Sequence, residues 1–371
     1  MRILVLNWQD LKNPFAGGAE VHLHEIFRRL VARGHEVTLF CSSFAGALDE
    51  ETVDGIHVKR KGGRSLFNYI VPLEYYLRFR QERYDIVVDD MNKIPFFTPW
   101  FVKEPLLAIA HHFFGATIFR EASPLAASYV YAAERLARSA YRKTPTAVVS
   151  KSTKQELLAY GFEEENLFFV ENAVDHEKHR PLGTPPSTAP LIGYVGRVKK
   201  YKSIDHLLRA FKIVRATKPD VRLAIVGDGD SRASLEELAR SLQVNDAVTF
   251  TGYLPLEEKV KLINQMYLVV NTSSKEGWGL TVTETNACGV PVIASNVPGL
   301  RDAVIDGTTG WLYEYGNIQE LASKMILLLD NPRQRSEFAA AGLRYAKTFS
   351  WESSADTMVQ ALRTVIERRK Q

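Results

Sequence analysis

Residues 274–294, SKEGWGLTVTETNACGVPVIA, place two acids, Glu276 and Glu284, eight positions apart between segments of different periodicity. Upstream, YLVVN from Tyr267 is a short apolar run of strand-forming residues. Downstream, residues 280–288 have helical spacing and close at Gly289, a favoured residue just past a helix C-terminus, before VPVIA resumes as a buried strand. A strand, a glycine turn, a helix and a further strand make the repeating unit of a parallel α/β sheet. The turn at Gly277 and Gly279 would present backbone N–H groups at a helix N-terminus, which is an anion site. Eight residues are ~2.2 helical turns, so with Glu284 on that helix both acids can border one cleft from different depths.

Working outward, 371 residues exceed the size at which single cores stop growing, and two domains are expected. An apolar fraction of 46% with 24% charged residues excludes a disordered or fibrous chain. Cys41 and Cys288 are the only cysteines and fall on a strand end and in a predicted buried helix, so neither a disulfide framework nor a metal cluster is suggested and a reducing, cytoplasmic compartment fits. A net charge of +4, spread along the chain, is too weak to argue for nucleic acid, though it would not repel an anionic membrane or a phosphorylated substrate. MRILVLN is read as a first strand and not a targeting peptide, because its apolar run is short and Asp10 follows. No run reaches the length needed to span a bilayer, so at most a peripheral contact at the inner membrane face is expected.

Strand-like runs alternate with helical patterns along the whole chain. ILVL at Ile3, a helix with Leu23, Ile26, Phe27, Leu30 and Val31 on its apolar face, a stop at Gly34 and VTLFC from Val37 make a βαβ unit. The long loop between carries Pro14, Gly17 and Gly18 just before the helix; its amides could approach a phosphate or sugar, or it could be an ordinary loop with a flexible tip. Strands IVV at Ile86 and LLAIA at Leu106 run into DDMNKIP and HHFFG. An aromatic-rich helix at 129–141, a strand at 147–150, a helix ending at Gly161 and LFFV from Leu167 complete a first doubly wound domain, 1–172. The proline-rich, aperiodic stretch 173–190 reads as a linker. A second domain, 191–350, opens with LIGYV at Leu191 and a helix bearing Ile204, Leu207, Leu208 and Phe211, followed by strands at Arg222, Val248, Tyr267 and Val290. An amphipathic helix, 351–371, ends the chain. Open parallel sheets bind ligands beyond the C-terminal ends of their strands, and every unusual loop above lies at such an end.

Three further stretches carry candidate chemistry. GRVKKYK, from Gly196, follows LIGYV; Arg197 can make two parallel bonds to a phosphate and Lys202 can add a mobile point charge, together suiting a diphosphate. VGDGD, with Gly227 and Asp228, is another strand end; with no third acid or His nearby it frames a nucleotide more readily than a metal. His111 and His112 close LLAIA, and strand alternation lets only one enter a cleft.

EGWGLTVTE with NACGVPVIA resembles the E-x(7)-E signature of the retaining GT-B glycosyltransferases usually called family 4. GRVKKYK is similar to that family's phosphate-binding turn, PLLAIAH to its strand ending in an active-site His, and GGAE, NAVD and FSWE also match its pattern, so the resemblance runs through essentially the whole chain. It implies a GT-B fold: two Rossmann-like parallel-sheet domains facing a deep cleft, with the last helix crossing back to the first domain. The first domain would bind the acceptor and the second a nucleotide-sugar donor, UDP or GDP, without metal or cofactor. Glu284 would hold the ribose and Glu276 the donor sugar, with amides of Gly277, Trp278, Gly279 and Leu280 on sugar and phosphate. Gly196, Arg197 and Lys202 would meet the diphosphate, Gly17 and Gly18 would close over it, His111 would contact the sugar, and Gly227, Asp228 and Tyr253 would lie by the nucleoside. The acceptor would be a hydroxyl of a glycan, a lipid-linked or a small molecule. A GT-B epimerase or phosphorylase, or a non-catalytic nucleotide-sugar binder, are the rival readings. Asn271 in place of a common proline, Ala173 in place of glycine, and Asp302 in place of a frequent Glu depart from the pattern without removing a group the chemistry needs.

Overall fold

In the computed structural model, which describes residues 1–91, 94–185 and 187–370, the chain divides into two units, 1–172 with 351–371 and 173–350. Asn92 and Lys93 of DDMNKIP, Pro186 of the proline-rich stretch and Gln371 of the last helix lie outside the described residues.

The first unit is built on one sheet in the order β3-β4-β2-β1-β5-β6-β7-β8. Its strands are β1 (Arg2–Leu6), β2 (Glu36–Cys41), β3 (Glu50–Val53), β4 (Ile56–Arg60), β5 (Ile86–Met91), β6 (Leu106–Ala110), β7 (Thr146–Val148) and β8 (Leu167–Phe169). All pairs are parallel except β3 with β4. β1 is a nearly continuous apolar run and β5 is buried along its whole length, because helices cover both faces of a parallel sheet. The helix Gly18–Ala32 turns Leu23, Ile26, Phe27 and Leu30 into the core as their spacing predicts. The β3–β4 hairpin is an addition to the strands expected from sequence, although Asp54-Gly55 announces it: both residues have positive φ, 47° and 83°, as a tight two-residue hairpin turn requires. The strand expected at 147–150 stops at Val148, because Ser150 leaves the sheet to cap the next helix, its Oγ accepting from the Thr153 N–H at 3.0 Å. The long loop after β1 is anchored at its root: Trp8 is buried and Asp10 accepts from Arg60 Nε and Nη2 at 3.2 and 2.5 Å.

The final helix, Trp351–Lys370, belongs to this first unit. Ser354 Oγ donates to the Glu171 carbonyl at 2.7 Å, and Arg29 and Arg33 of the helix Gly18–Ala32 pair with Glu352 and Asp356 at 2.7 Å each.

The second unit carries an all-parallel sheet in the order β11-β10-β9-β12-β13-β14. These strands are β9 (Leu191–Val195), β10 (Arg222–Val226), β11 (Val248–Gly252), β12 (Leu268–Asn271), β13 (Val292–Ser295) and β14 (Gly310–Tyr313). β14 is not among the strands expected from sequence; four residues with only two fully buried are too short to show a period. Leu207, Leu208, Phe211 and Val214 of the helix Ile204–Thr217 fill one side of the sheet, each contributing about 1.5–3 kcal/mol by burial. Described residues of the stretch 173–190 pack within this unit. Val174 packs with Ala287 and Ala346, the Leu182 N–H donates to Asn264 Oδ1 at 2.8 Å, and the Ser187 N–H donates to the Gln265 carbonyl at 3.1 Å.

Candidate active site

At the C-terminal edge of the second sheet, two loops from adjacent strands are tied together. β9 leads into Gly196–Lys202 and β12 into Thr272–Glu276. Thr272 Oγ1 donates to the Lys202 carbonyl at 2.8 Å, and the Ser274 N–H donates to the Tyr201 carbonyl at 2.8 Å. This clasp brings Lys202 onto Glu276 in an ion pair whose side chains are only 11% and 14% exposed, with Ser273 Oγ donating to the same carboxylate at 2.7 Å. Burial alone would favour a neutral amine, but Glu276 outweighs it and, with Tyr201 and Tyr194, holds the Lys202 pKa above its ordinary value. Lys202 is therefore a fixed, paired cation, not the mobile charge its sequence context suggested. Arg197 is exposed on the same turn, 3.3 Å from Tyr201 Oη, while Tyr194 Oη secures the turn by donating to the Arg197 carbonyl at 2.8 Å.

Asn271, where proline is the family's common choice, organises the loop: its Oδ1 accepts from the Ser273 N–H at 3.1 Å and from Ser273 Oγ at 2.8 Å. Gly279, at φ 102°, opens the helix Leu280–Ala287, and a Cβ there would meet Leu300 Cδ2 at 2.7 Å. The Trp278 side chain faces away from any ligand role. It is buried, donates Nε1–H to Thr283 Oγ1 at 2.9 Å and packs edge-on against Phe349, which leaves only its backbone for the role expected of it.

Glu284 projects from the helix Leu280–Ala287 to meet two residues that are not among the candidates named from sequence. Lys259 Nζ lies 3.0 Å from Oε2, and His179 Nε2 lies 3.6 Å from Oε1. Burial opposes ionisation, but Lys259 and His179 prevail and keep the Glu284 pKa below the usual carboxylate value. The His179 pKa is itself lowered from its ordinary value, chiefly by burial and also by Lys259, against the opposing pull of Glu284. Neither residue stands out in sequence, since Lys259 sits in an ordinary amphipathic helix, Leu256–Gln265, and His179 in the proline-rich stretch.

The VGDGD turn underlies the basic turn. The Val198 N–H donates to the Asp228 carbonyl at 2.9 Å, and a Cβ on Gly227 would lie 2.0 Å from the Gly196 carbonyl oxygen. Asp230 is paired with Lys199 at 2.5 Å, and Asp228 has Arg232 at 3.8 Å. Among the described residues no group of three or more His, Cys, Asp or Glu is placed to hold a metal ion. Tyr253 stands 81% exposed beyond β11.

The first unit has its own cluster at the C-terminal edge of β5 and β6. His111 Nε2 is 2.9 Å from Asp90 Oδ1, and the His111 ring meets His22 edge-on at 5.2 Å. His111 is buried, which lowers its basicity, yet the charge and hydrogen bond of Asp90, with Glu20, raise its pKa above the ordinary value. His22, wholly buried beside it, is pushed down to about 3 and is neutral, its Nε2 3.1 Å from the Val170 carbonyl. Glu20 accepts the Gly17 N–H at 2.7 Å, so the glycine turn before the first helix belongs to this cluster. His112 packs instead against Phe114 at 5.3 Å, which identifies His111 as the member of the pair that joins the cluster. Asp90 is signalled in sequence only by the two adjacent acids at the end of β5.

The sequence matches two family models, Glycosyltransferase Family 4 over residues 16–178 and Glycosyl transferases group 1 over residues 175–344. The chain belongs to this family: it is a GT-B glycosyltransferase of the family-4 type. Among its relatives, the D-inositol 3-phosphate glycosyltransferase of Thermobifida fusca is 29% identical over 95% of this chain and 90% of its own length. That of Thermomonospora curvata is 28% identical over 93% and 90%. Sucrose-phosphate synthase from Thermosynechococcus elongatus shares the fold at a TM-score of 0.84 and 21% identity, covering 99% of both chains. Anabaena HepE in complex with UDP-glucose shares it at 0.78 and 20% identity, covering 98% of this chain and all of that one.

Proposed function

We propose that this enzyme transfers a sugar from a nucleotide diphosphate sugar to an acceptor hydroxyl with retention at the anomeric carbon and without a metal ion. The observation that carries the reading is the buried Lys202–Glu276 pair, set beside Arg197 and next to a glycine-opened helix N-terminus at the C-terminal edge of a parallel sheet. Arg197 and Lys202 would neutralise the diphosphate as it leaves, assisted by the amides of Gly196 and of residues 277–280. Glu276, fixed by Lys202 and Ser273, would hold hydroxyls of the donor sugar. Glu284, kept ionised by Lys259, would accept two ribose hydroxyls, with Gly227, Asp228 and the exposed ring of Tyr253 by the nucleoside. In the first unit, His111 would contact the sugar, and Gly17 and Gly18 would supply backbone contacts. UDP is favoured over GDP as the carrier because a solved structure of the same fold holds UDP-glucose.

In the step itself, the bond from C1 to the diphosphate oxygen breaks with its electron pair leaving on the phosphate. The acceptor oxygen bonds to C1 on the same face, and its proton passes to the departing phosphate oxygen. Double displacement would require a carboxylate nucleophile on the reacting face. Glu276 is already committed to Lys202 and Ser273, which supports the direct same-face route. The relatives' names point to a phosphorylated polyol as the acceptor to try first.

A thermal-shift screen of UDP, GDP and ADP, followed by nucleotide release from the matching sugar donor with and without inositol 3-phosphate, tests the reading. Release that needs no acceptor would favour an epimerase or phosphorylase. An inverted anomeric product seen by NMR would refute the same-face step.

A further inference from the structure

Two helices of the first unit turn apolar side chains away from the core. In the helix Phe67–Leu77, Phe67, Val71 and Tyr75 are fully buried. Leu66, Tyr69, Leu73, Tyr76 and Leu77 are 62, 60, 54, 49 and 63% exposed. At 3.6 residues per turn these five fall in an arc of about 100° on the side opposite the buried face. In the helix Pro124–Ala140 the inward positions are Ala127, Ala133, Glu134 and Ala137, whereas Leu125, Tyr129 and Leu136 stand outward, 87, 45 and 49% exposed. The core of this helix is thus made of its alanines, and its large apolar residues are the ones in solvent. The two stripes meet: the Tyr69 and Tyr129 hydroxyls are 2.8 Å apart, and Asn68 Nδ2 donates to Tyr129 Oη at 3.2 Å. A contiguous apolar surface of this kind marks an interaction site.

Charge selects the occupant. Each helix has one acid, and both acids point inward: Glu74 is buried against Lys61, and Glu134 is buried and accepts the N–H groups of Phe114 and Gly115 at 2.7 and 2.8 Å. Arg80, Arg135, Arg142 and Lys143 remain exposed at the rim. An aliphatic stripe with tyrosines at its edge and cations around it matches the acyl boundary and anionic headgroups of a bilayer. A second copy docking face to face would set the same cations against one another.

We propose that this face of the first unit docks on an anionic lipid bilayer. The proposal stands on that unit's surface and goes beyond the transfer reading, none of whose donor roles it uses. Flotation of the full chain with phosphatidylcholine vesicles, and with vesicles also containing phosphatidylglycerol, tests it. The chain is expected to float with the anionic vesicles and to be released by high salt. Leu73→Ser combined with Leu125→Ser should lower partitioning at least about tenfold, and Arg135→Glu roughly fivefold on anionic vesicles only. Circular dichroism and the UDP-dependent thermal shift should be unchanged in both variants, because the substituted side chains are in solvent. A wild-type chain that stays in the aqueous fraction with both vesicle types overturns the proposal. So do variants that float as the wild type does, or a solution dimer that the leucine substitutions dissolve. A chain that floats but shows no UDP-dependent shift upholds the docking and overturns the donor reading instead.

Discussion

Lys202 Nζ is in contact with the Glu276 carboxylate, and both side chains are almost wholly buried, so the charge expected to meet a leaving phosphate is held in place before any donor arrives. Fixed charge of this kind costs no reorganisation at the moment of reaction. Removing the cation alone strands a buried carboxylate. Lys202→Ala is therefore expected to lose about 3–5 kcal/mol of stability and to slow turnover at least about a hundredfold. Lys202→Met with Glu276→Gln should recover most of the stability but not the turnover. Denaturant unfolding and steady-state rates, compared across the two variants, check this.

His111 owes its raised pKa to Asp90 against the opposing effect of burial. In Asp90→Asn the burial remains without the counter-charge, so His111 is expected to titrate below about 6.5 instead of above it. A raised folded-state pKa contributes stability fully below the unfolded value and loses it as pH rises through the folded value. The stability deficit of Asp90→Asn should accordingly be largest below about pH 6.5 and shrink above the raised pKa. Imidazole NMR titration and unfolding at a series of pH values measure both.

Glu284 is kept ionised and oriented from one side by Lys259, 3.0 Å away. A hydrogen bond to a charged group is worth about 1.5–3 kcal/mol, so Lys259→Met should weaken UDP binding about tenfold or more. Turnover at saturating donor should change far less, because the ribose is remote from the bond that breaks. Calorimetric UDP titration and a kcat measurement separate the two effects.

The glycines make a graded series. Gly34, at φ 83°, has open space where a Cβ would stand, and Gly34→Ala should cost only about 1 kcal/mol. Gly227, at φ 127°, would place a Cβ 2.0 Å from the Gly196 carbonyl oxygen, which is backbone and cannot rotate aside. Gly227→Ala should displace the turn that carries Arg197 and abolish detectable donor binding. Thermal melting and the UDP thermal shift of the two variants give the comparison.

Much of the fold and of the candidate site is legible in the sequence because it is local. The glycine turn at 277–279, the helix start at Leu280 and the period-defined core faces follow from backbone propensity and side-chain spacing within a few residues of each other. The Asp54-Gly55 hairpin is equally local, its signal lying in the two turn residues and not in its short strands, whereas β14 is too short to show a pattern. The sequence offers no sign of where the Trp278 ring goes: it is buried, and its indole N–H finds Thr283 in the helix that follows.

By itself, the sequence determined the two α/β halves, the strand ends at which the candidate site residues lie, and the family, since these rest on periodicity, turn residues and ordered motifs. Tertiary structure alone decided which charges meet. Lys202 reaches Glu276 across 74 positions, Lys259 reaches Glu284 across 25 and Asp90 reaches His111 across 21, each because neighbouring strands or packed helices bring their ends together. It also decided that the tyrosines and leucines of two helices face outward, since an apolar residue carries no mark of which side of its helix the core will take.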